Sequence, residues 1–239
     1  MGKVILVSSG KGGTGKTMFS VNLGAILAEQ GNRVMLLDMD MGLRNMDIYL
    51  GMENKVIYNI MDVISGVCRI KKAMMRVDGF QNLYFMAASP RKDDRDMTPL
   101  HMEVLCNKLR KYFDYIIIDC PAGIGDLFDV SMAAADKTVI VTEPEVASLR
   151  DADTTERYLR EKGMDNMCVV VNKVKVELMQ AGLVPGMSEI MNMFKSPVAG
   201  LIQYDENIHI STNKGIPIVC KKDTYIERNF LDIANRIVQ

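Results

Sequence analysis

Seven short, almost wholly apolar runs punctuate the chain, at 4–7, 34–37, 83–86, 115–118, 138–142, 168–171 and 198–202. They do not alternate apolar with polar positions, so they suit strands covered on both faces, as in a parallel sheet flanked by helices. Helical spacing fills the gaps. Phe19, Leu23, Ile26 and Leu27 form a stripe that begins near Lys16, and Gly31 follows as a C′ residue. Thr98-Pro99, before Val104, Leu105 and Leu109, sets a cap ahead of proline at the first helical position. Thr224-x-x-Glu227 predicts a capping box opening a last helix with the stripe Ile226, Phe230, Ile233 and Ile237. There is no linker, repeat or low-complexity tract. The pattern predicts a single α/β domain over residues 1–239, a doubly wound, mainly parallel sheet with helices on both faces. Its ligands are expected beyond the carboxyl ends of the strands.

Directly after the first run stands Gly10-Lys11-Gly12-Gly13-Thr14-Gly15-Lys16-Thr17, which satisfies G-x-x-x-x-G-K-[ST]. In such a loop, backbone N–H groups wrap phosphates, the lysine reaches the β/γ-phosphates and the hydroxyl ligates Mg²⁺. The helix that follows adds its N-terminal dipole. Lys16 already supplies the cation this loop needs, which leaves Lys11 as a second lysine without a task in one loop. Asp38, Asp40 and Asp119 lie at strand ends, where a carboxylate orients Mg²⁺ directly or through water. An Asp there can equally cap a turn, but three beside a phosphate loop favour the metal. Gly123 and Gly125, just past Asp119, allow a loop that rearranges and presents a backbone N–H to a γ-phosphate.

Composition excludes more than it proposes. A net charge of −1 offers no bulk attraction to DNA or anionic lipid. Five scattered cysteines without a C-x-x-C pair, and only two histidines, argue against a zinc or iron–sulfur site and suit free thiols in a reducing cytoplasm. Cys120, near the candidate chemistry, reads as a small packed thiol. No run approaches the roughly 20 apolar residues that span a bilayer, and the chain enters a strand at once, without the look of a signal peptide.

The loop with its extra Lys11 resembles the deviant Walker A motif of the ParA/MinD ATPases. Residues 38–47, Asp-Met-Asp-Met-Gly-Leu-Arg-Asn-Met-Asp, are similar to the first switch of the MinD branch. Residues 119–124 resemble its Walker B motif and second switch, and residues 143–153 resemble a further MinD pattern. The resemblance runs from residue 2 to about residue 220 and implies a SIMIBI-type P-loop ATPase using ATP/ADP and Mg²⁺. Gly10, Gly12, Gly13, Thr14, Gly15 and Met18 then belong with Lys16 and Thr17 to the nucleotide site. The metal falls to Thr17, Asp38 and Asp119. Lys11 is implied to reach the phosphates of a second subunit, like an arginine finger in trans, while Asp40 positions the attacking water. Asn172 and Asp205 flank the adenine, and Asn45 lies at a dimer interface. Arg150, Asp151 and Asp153 open a helix that meets partner proteins, although a solvated face with weak ion pairs is the alternative.

The implied function is an ATP-dependent dimerisation switch in division-site placement, slow and partner-stimulated, with division-inhibitor and activator proteins of the Min type as partners. A ParA-like DNA- or cargo-positioning ATPase and an FlhG-like regulator of flagellar number are the alternatives; the Gly-Leu-Arg-Asn stretch at 42–45 favours the MinD branch. Two residues depart from the pattern. Met18 stands where a hydroxyl often meets the α-phosphate, a loss of at most roughly 1.5–3 kcal/mol, and Gln203 stands where relatives usually place proline. The last predicted helix has balanced charges (Glu227, Arg228, Asp232 and Arg236) rather than the basic face of a membrane-surface helix. It reads as a core helix, so a cytoplasmic protein is expected, peripheral at the membrane only through a partner.

Overall fold

All seven apolar runs form strands of one eight-stranded sheet in the computed structural model, which describes residues 1–91 and 97–239. The chain begins with β1 (Lys3–Ser8), α1 (Lys16–Glu29) and β2 (Val34–Asp38), then three short helices, α2 (Met46–Tyr49), α3 (Ile60–Ile64) and α4 (Ile70–Ala73). β3 (Met75–Arg76), β4 (Leu83–Met86), α5 (Pro99–Leu109), β5 (Tyr115–Asp119) and α6 (Asp126–Met132) follow. Next come β6 (Lys137–Thr142), α7 (Val146–Glu161), β7 (Met167–Val174), α8 (Val176–Gln180) and α9 (Met187–Met193). The chain closes with β8 (Val198–Gln203), α10 (Glu206–Asn213), a 3-10 turn (Ile218–Cys220) and α11 (Tyr225–Val238).

Strand order is β3-β4-β2-β5-β1-β6-β7-β8, parallel throughout except for the two-residue edge strand β3. That edge strand carries no sequence signal of its own. β1 lies between β5 and β6. The chain leaves β1 for β2 on one side and leaves β5 for β6 on the other, and this reversal opens a crevice above the C-terminal end of β1. Register puts Asp38 opposite Asp119, and Asp119 opposite Val7.

Every strand but the short edge strand β3 feeds both faces, as the two-residue period requires. Ile5, Val7, Leu36 and Ile117 pack in one core with α1 and α11; Leu6, Leu37, Ile118 and Ile140 pack in the other with residues of α5 and α7. Helix α1 departs from the expected single stripe, because it is buried all round from Met18 to Ala28. α11 covers its outer side, with Phe19 and Phe230 stacked at 6.0 Å between ring centroids. Gly24 lets α1 approach β2 closely, since a Cβ there would lie 2.6 Å from Leu36 Cδ2.

The predicted caps form, one of them altered. Thr98 Oγ1 accepts from the His101 N–H, while His101 Nδ1 accepts from the Thr98 N–H. At α11, Thr224 Oγ1 accepts from the Glu227 N–H at 3.1 Å, but the Glu227 carboxylate takes the Asp223 N–H instead of the cap's own. Asp223 sits at φ 60°, a left-handed turn that brings its N–H to that carboxylate. The stripe Ile226, Phe230, Ile233 and Ile237 is buried, so α11 is a core helix as expected.

Phe230→Ala should therefore cost about 3–5 kcal/mol of stability. Urea denaturation checks this; a loss under about 1 kcal/mol would mean that α11 lies outside the cooperative core.

Candidate functional site

The glycine-rich loop leaves β1 and turns into α1 at the crevice, and its glycines serve different ends. Gly13 (φ 83°) and Gly15 (φ 91°) hold left-handed backbone, which costs a side-chain-bearing residue about 1–2 kcal/mol. Gly15 is also crowded, since a Cβ there would lie 2.3 Å from Asn172 Nδ2. Gly10 is required by a helix: its Cβ would meet the Asp151 backbone of α7 at 2.5 Å. Gly12 has open space. Two side chains of β7 and one from the loop itself tie the loop down. Asn172 Nδ2 donates to Thr14 O (2.8 Å), Lys173 Nζ to Gly13 O (2.6 Å), and Ser9 Oγ to Lys11 O (2.7 Å).

Lys16 and Thr17 are the first residues of α1, and no acidic residue occupies that first turn. The N–H groups and dipole at the head of this fourteen-residue helix favour an anion. Thr14 Oγ1 is buried without a partner among the described residues, a donor suited to a phosphate oxygen. Met18, assigned to the nucleotide from its position, is a buried member of the apolar core whose Cε lies close to Gly15, so its side chain brings the loop an apolar contact and no hydroxyl.

Behind the loop stand two carboxylates, each 1 % exposed. Asp119 accepts from Thr17 Oγ1 (2.6 Å) and Ser20 Oγ (2.9 Å). Asp38 accepts from the Asp40 N–H (2.9 Å) and the Met46 N–H (3.4 Å). Burial, and the charge of Asp119 beside it, push Asp38 up to about 8. Burial lifts Asp119 to about 6, against the opposing hydrogen bonds and the Lys16 cation. Asp40 is half-buried, and its charge acts on both carboxylates. Asp38, Asp119 and the Thr17 hydroxyl form a hard-oxygen donor set that fits Mg²⁺. Among the described residues no three acidic, histidine or cysteine side chains converge to cage a metal.

Other expected residues are already engaged. The Gly123 N–H, expected to face a γ-phosphate, donates to Ser9 O at 2.9 Å, so it reaches a phosphate only by leaving that bond. Asn172 does not end its strand: β7 continues through a register irregularity to Val174, and the Asn172 amide is spent on the phosphate loop. Asp205 caps α10 through the Asn207 N–H (2.7 Å) and accepts from Tyr225 Oη, which holds its carboxyl below the usual range. Asn45 is exposed at the head of α2, and its side chain caps nothing there. On α7, Arg150 is exposed, Asp153 pairs with Arg157, and Asp151 lies against Gly10. Cys120 is a buried thiol that burial pushes up to about 12, as suits packing rather than reaction.

Lys11 is paired within its own chain, to Glu145 at 3.2 Å and Glu143 at 4.0 Å. Glu143, Lys173 and Ser20 were not singled out from sequence. The strand-end rule that selected Asp38, Asp40 and Asp119 also picks Glu143, which directly follows the run at 138–142; Ser20 carries no such signal.

The AAA domain family model matches residues 2–163. The septum site-determining protein MinD of Bacillus subtilis is 37% identical, over 100% of this chain and 90% of that protein. Among solved structures, the MinC:MinD cell division protein complex of Aquifex aeolicus aligns with a TM-score of 0.90 at 34% identity, covering 99% of this chain and 95% of that one. The septum site-determining protein MinD of Pyrococcus horikoshii, complexed with Mg-ADP, aligns with a TM-score of 0.88 at 25% identity, covering 99% and 96%.

Both raised carboxylates stabilise the fold in their neutral form. That contribution is complete below their ordinary value of 3.8 and is lost as pH rises through about 6 for Asp119 and about 8 for Asp38. The thermal midpoint of the nucleotide- and metal-free protein should fall across that window, and Asp38→Asn should flatten its upper part. An equally steep decline in the variant would assign the titration to another group.

Proposed function

The chain belongs to the MinD family of septum site-determining P-loop ATPases, and on that footing we propose that it is a Mg²⁺-dependent dimerisation switch driven by ATP. One observation carries the reading: the head of α1, the Thr17–Asp119 bond and Asp38 meet at the carboxyl ends of β1, β2 and β5, on a loop with a second lysine. The Mg-ADP bound to the Pyrococcus horikoshii protein supports the same cofactors here.

In this reading the loop backbone and Lys16 bind the phosphates, while Thr17, Asp38 and Asp119 would hold Mg²⁺. When bound, the ion neutralises charge that develops on the transferred phosphoryl group. Asp40, half-buried beside both carboxylates, orients the attacking water. Asn172 and Asp205 border the base, with one amide hydrogen of Asn172 keeping the loop in place. The γ-phosphate draws the Gly123 N–H away from Ser9 and so rearranges the second switch. Lys11 crosses to the phosphates of a second copy, with Asn45 at the same interface, and turnover then requires two subunits.

The MinC:MinD cell division protein complex of Aquifex aeolicus supports a Min-type partner here; this reading adds a division inhibitor and a separate activator that stimulates hydrolysis. We place the partner contact on the α7 face that carries Arg150, Asp151 and Asp153. Because the Asp151 backbone abuts Gly10, a partner seated there bears on the helix that limits the phosphate loop. No helix among the described residues is long and apolar enough to cross a membrane, and α11 spends its apolar side on the core. In this reading the protein is cytoplasmic and reaches the membrane through a partner.

Lys11→Ala should lower ATP turnover on the order of 10²–10³-fold and weaken the ATP-dependent dimer, with ADP still bound by the monomer. Equal loss of ADP binding and dimerisation, or of neither, in calorimetry and sedimentation would remove the role in trans. Asp40→Ala should accumulate an ATP-bound dimer that does not hydrolyse. Unchanged phosphate release would take Asp40 out of the mechanism.

A further inference from the structure

We propose that Glu143 is a positioning residue that retains Lys11 in the monomer and thereby sets the threshold for dimerisation. The consequence for dimerisation rests on the reading above; the contact itself does not. Four charges alternate along one line, Lys173, Glu143, Lys11 and Glu145. Glu143 Oε1 lies 2.7 Å from Lys173 Nζ, and its Oε2 lies 4.0 Å from Lys11 Nζ. Lys11 Nζ lies 3.2 Å from Glu145 Oε2. The line is fastened to the phosphate loop twice, at Lys11 itself and at Gly13 O, which accepts from Lys173 Nζ.

The two acids are not equivalent. The Glu143 side chain is 12% exposed and that of Glu145 60%. A carboxylate mostly out of water requires cations beside it, and its field is screened less by salt. Lys173 meets that requirement from strained backbone, at φ 56°, a conformation that persists only where surrounding contacts enforce it.

Lys11 cannot remain on this line and also reach the phosphates of a second copy. When it leaves, Glu143 keeps Lys173, so the buried carboxylate is still compensated. Release therefore costs no more than two partly exposed ion pairs, to Glu143 and Glu145, each a factor of roughly two to five in an equilibrium. Glu143 acts as a catch that nucleotide and a second subunit can overcome. It also competes for two lysines at once, so its hold on Lys11 depends on Lys173.

Amine acylation of the nucleotide-free protein with an N-hydroxysuccinimide acetate, read residue by residue by mass spectrometry, tests the contact. Glu143→Gln should speed acylation of Lys11 roughly two- to fivefold, with Lys173 rising beside it and Lys16 and Lys137 unchanged. Lys173→Met should act in the opposite sense and slow Lys11, because Glu143 then has one lysine to hold. Unchanged Lys11 reactivity in both variants, or a rise at every lysine together, would overturn the proposal. In sedimentation with ATP, Glu143→Gln should lower the protein concentration at half-dimerisation by a similar factor. A freed Lys11 with an unmoved midpoint would overturn the threshold role. A freed Lys11 with no ATP-dependent dimer in either protein would leave the retaining contact standing and overturn the dimer reading instead.

Discussion

Two carboxylates buried in register at the crest of a parallel sheet, Asp38 on β2 and Asp119 on β5, set the terms for the site around them. Burial opposes the ionisation of both, the charge of Asp119 opposes that of Asp38 further, and hydrogen bonds to both, with Lys16 beside Asp119, favour it. Thr17 and Ser20 are turned to Asp119 for that reason, so the first turn of α1 is fixed to β5 by the same bonds that relieve the charge. In the proposed reading a divalent cation, brought with nucleotide phosphates, would complete the compensation.

The phosphate loop is built against this pair under constraints from three directions. β1 delivers it, α7 limits it at Gly10, and β7 holds it through Asn172 and Lys173. Some glycines that read as phosphate-binding are therefore glycines because another element passes too close for a Cβ. This packing links the loop to the α7 surface and to the end of β6, where Glu143 and Glu145 stand. A change at either place reaches the phosphates through contacts rather than across solvent.

Much of the fold was legible because its cause is local. Runs without polar alternation mark strands covered on both faces, and the caps at Thr98 and Thr224 follow from side-chain hydrogen bonds within one turn. The extent of burial around α1 was not legible, since the helix that covers it, α11, lies some two hundred residues away in the chain. β3 was missed because two residues carry no period. Among site residues, Lys16, Thr17, Asp38, Asp40 and Asp119 were visible from strand-end position and loop pattern. Asn172 entered only through the family resemblance, and in the fold its amide serves the loop and its strand runs on.

The sequence by itself determined a doubly wound sheet with a phosphate loop at its crest and acids at the strand ends, because periodicity and loop chemistry are local properties of a chain. Only the tertiary structure decided which glycine answers to which neighbour, that the Gly123 N–H is engaged with Ser9, and that Lys11 is held by its own chain. Those contacts join residues 134 to 160 positions apart in the cases of Lys11–Glu145 and Gly13–Lys173. Strand order brings such residues together, and no local pattern encodes strand order. The second lysine could be recognised from the sequence; what restrains it is a property of the fold.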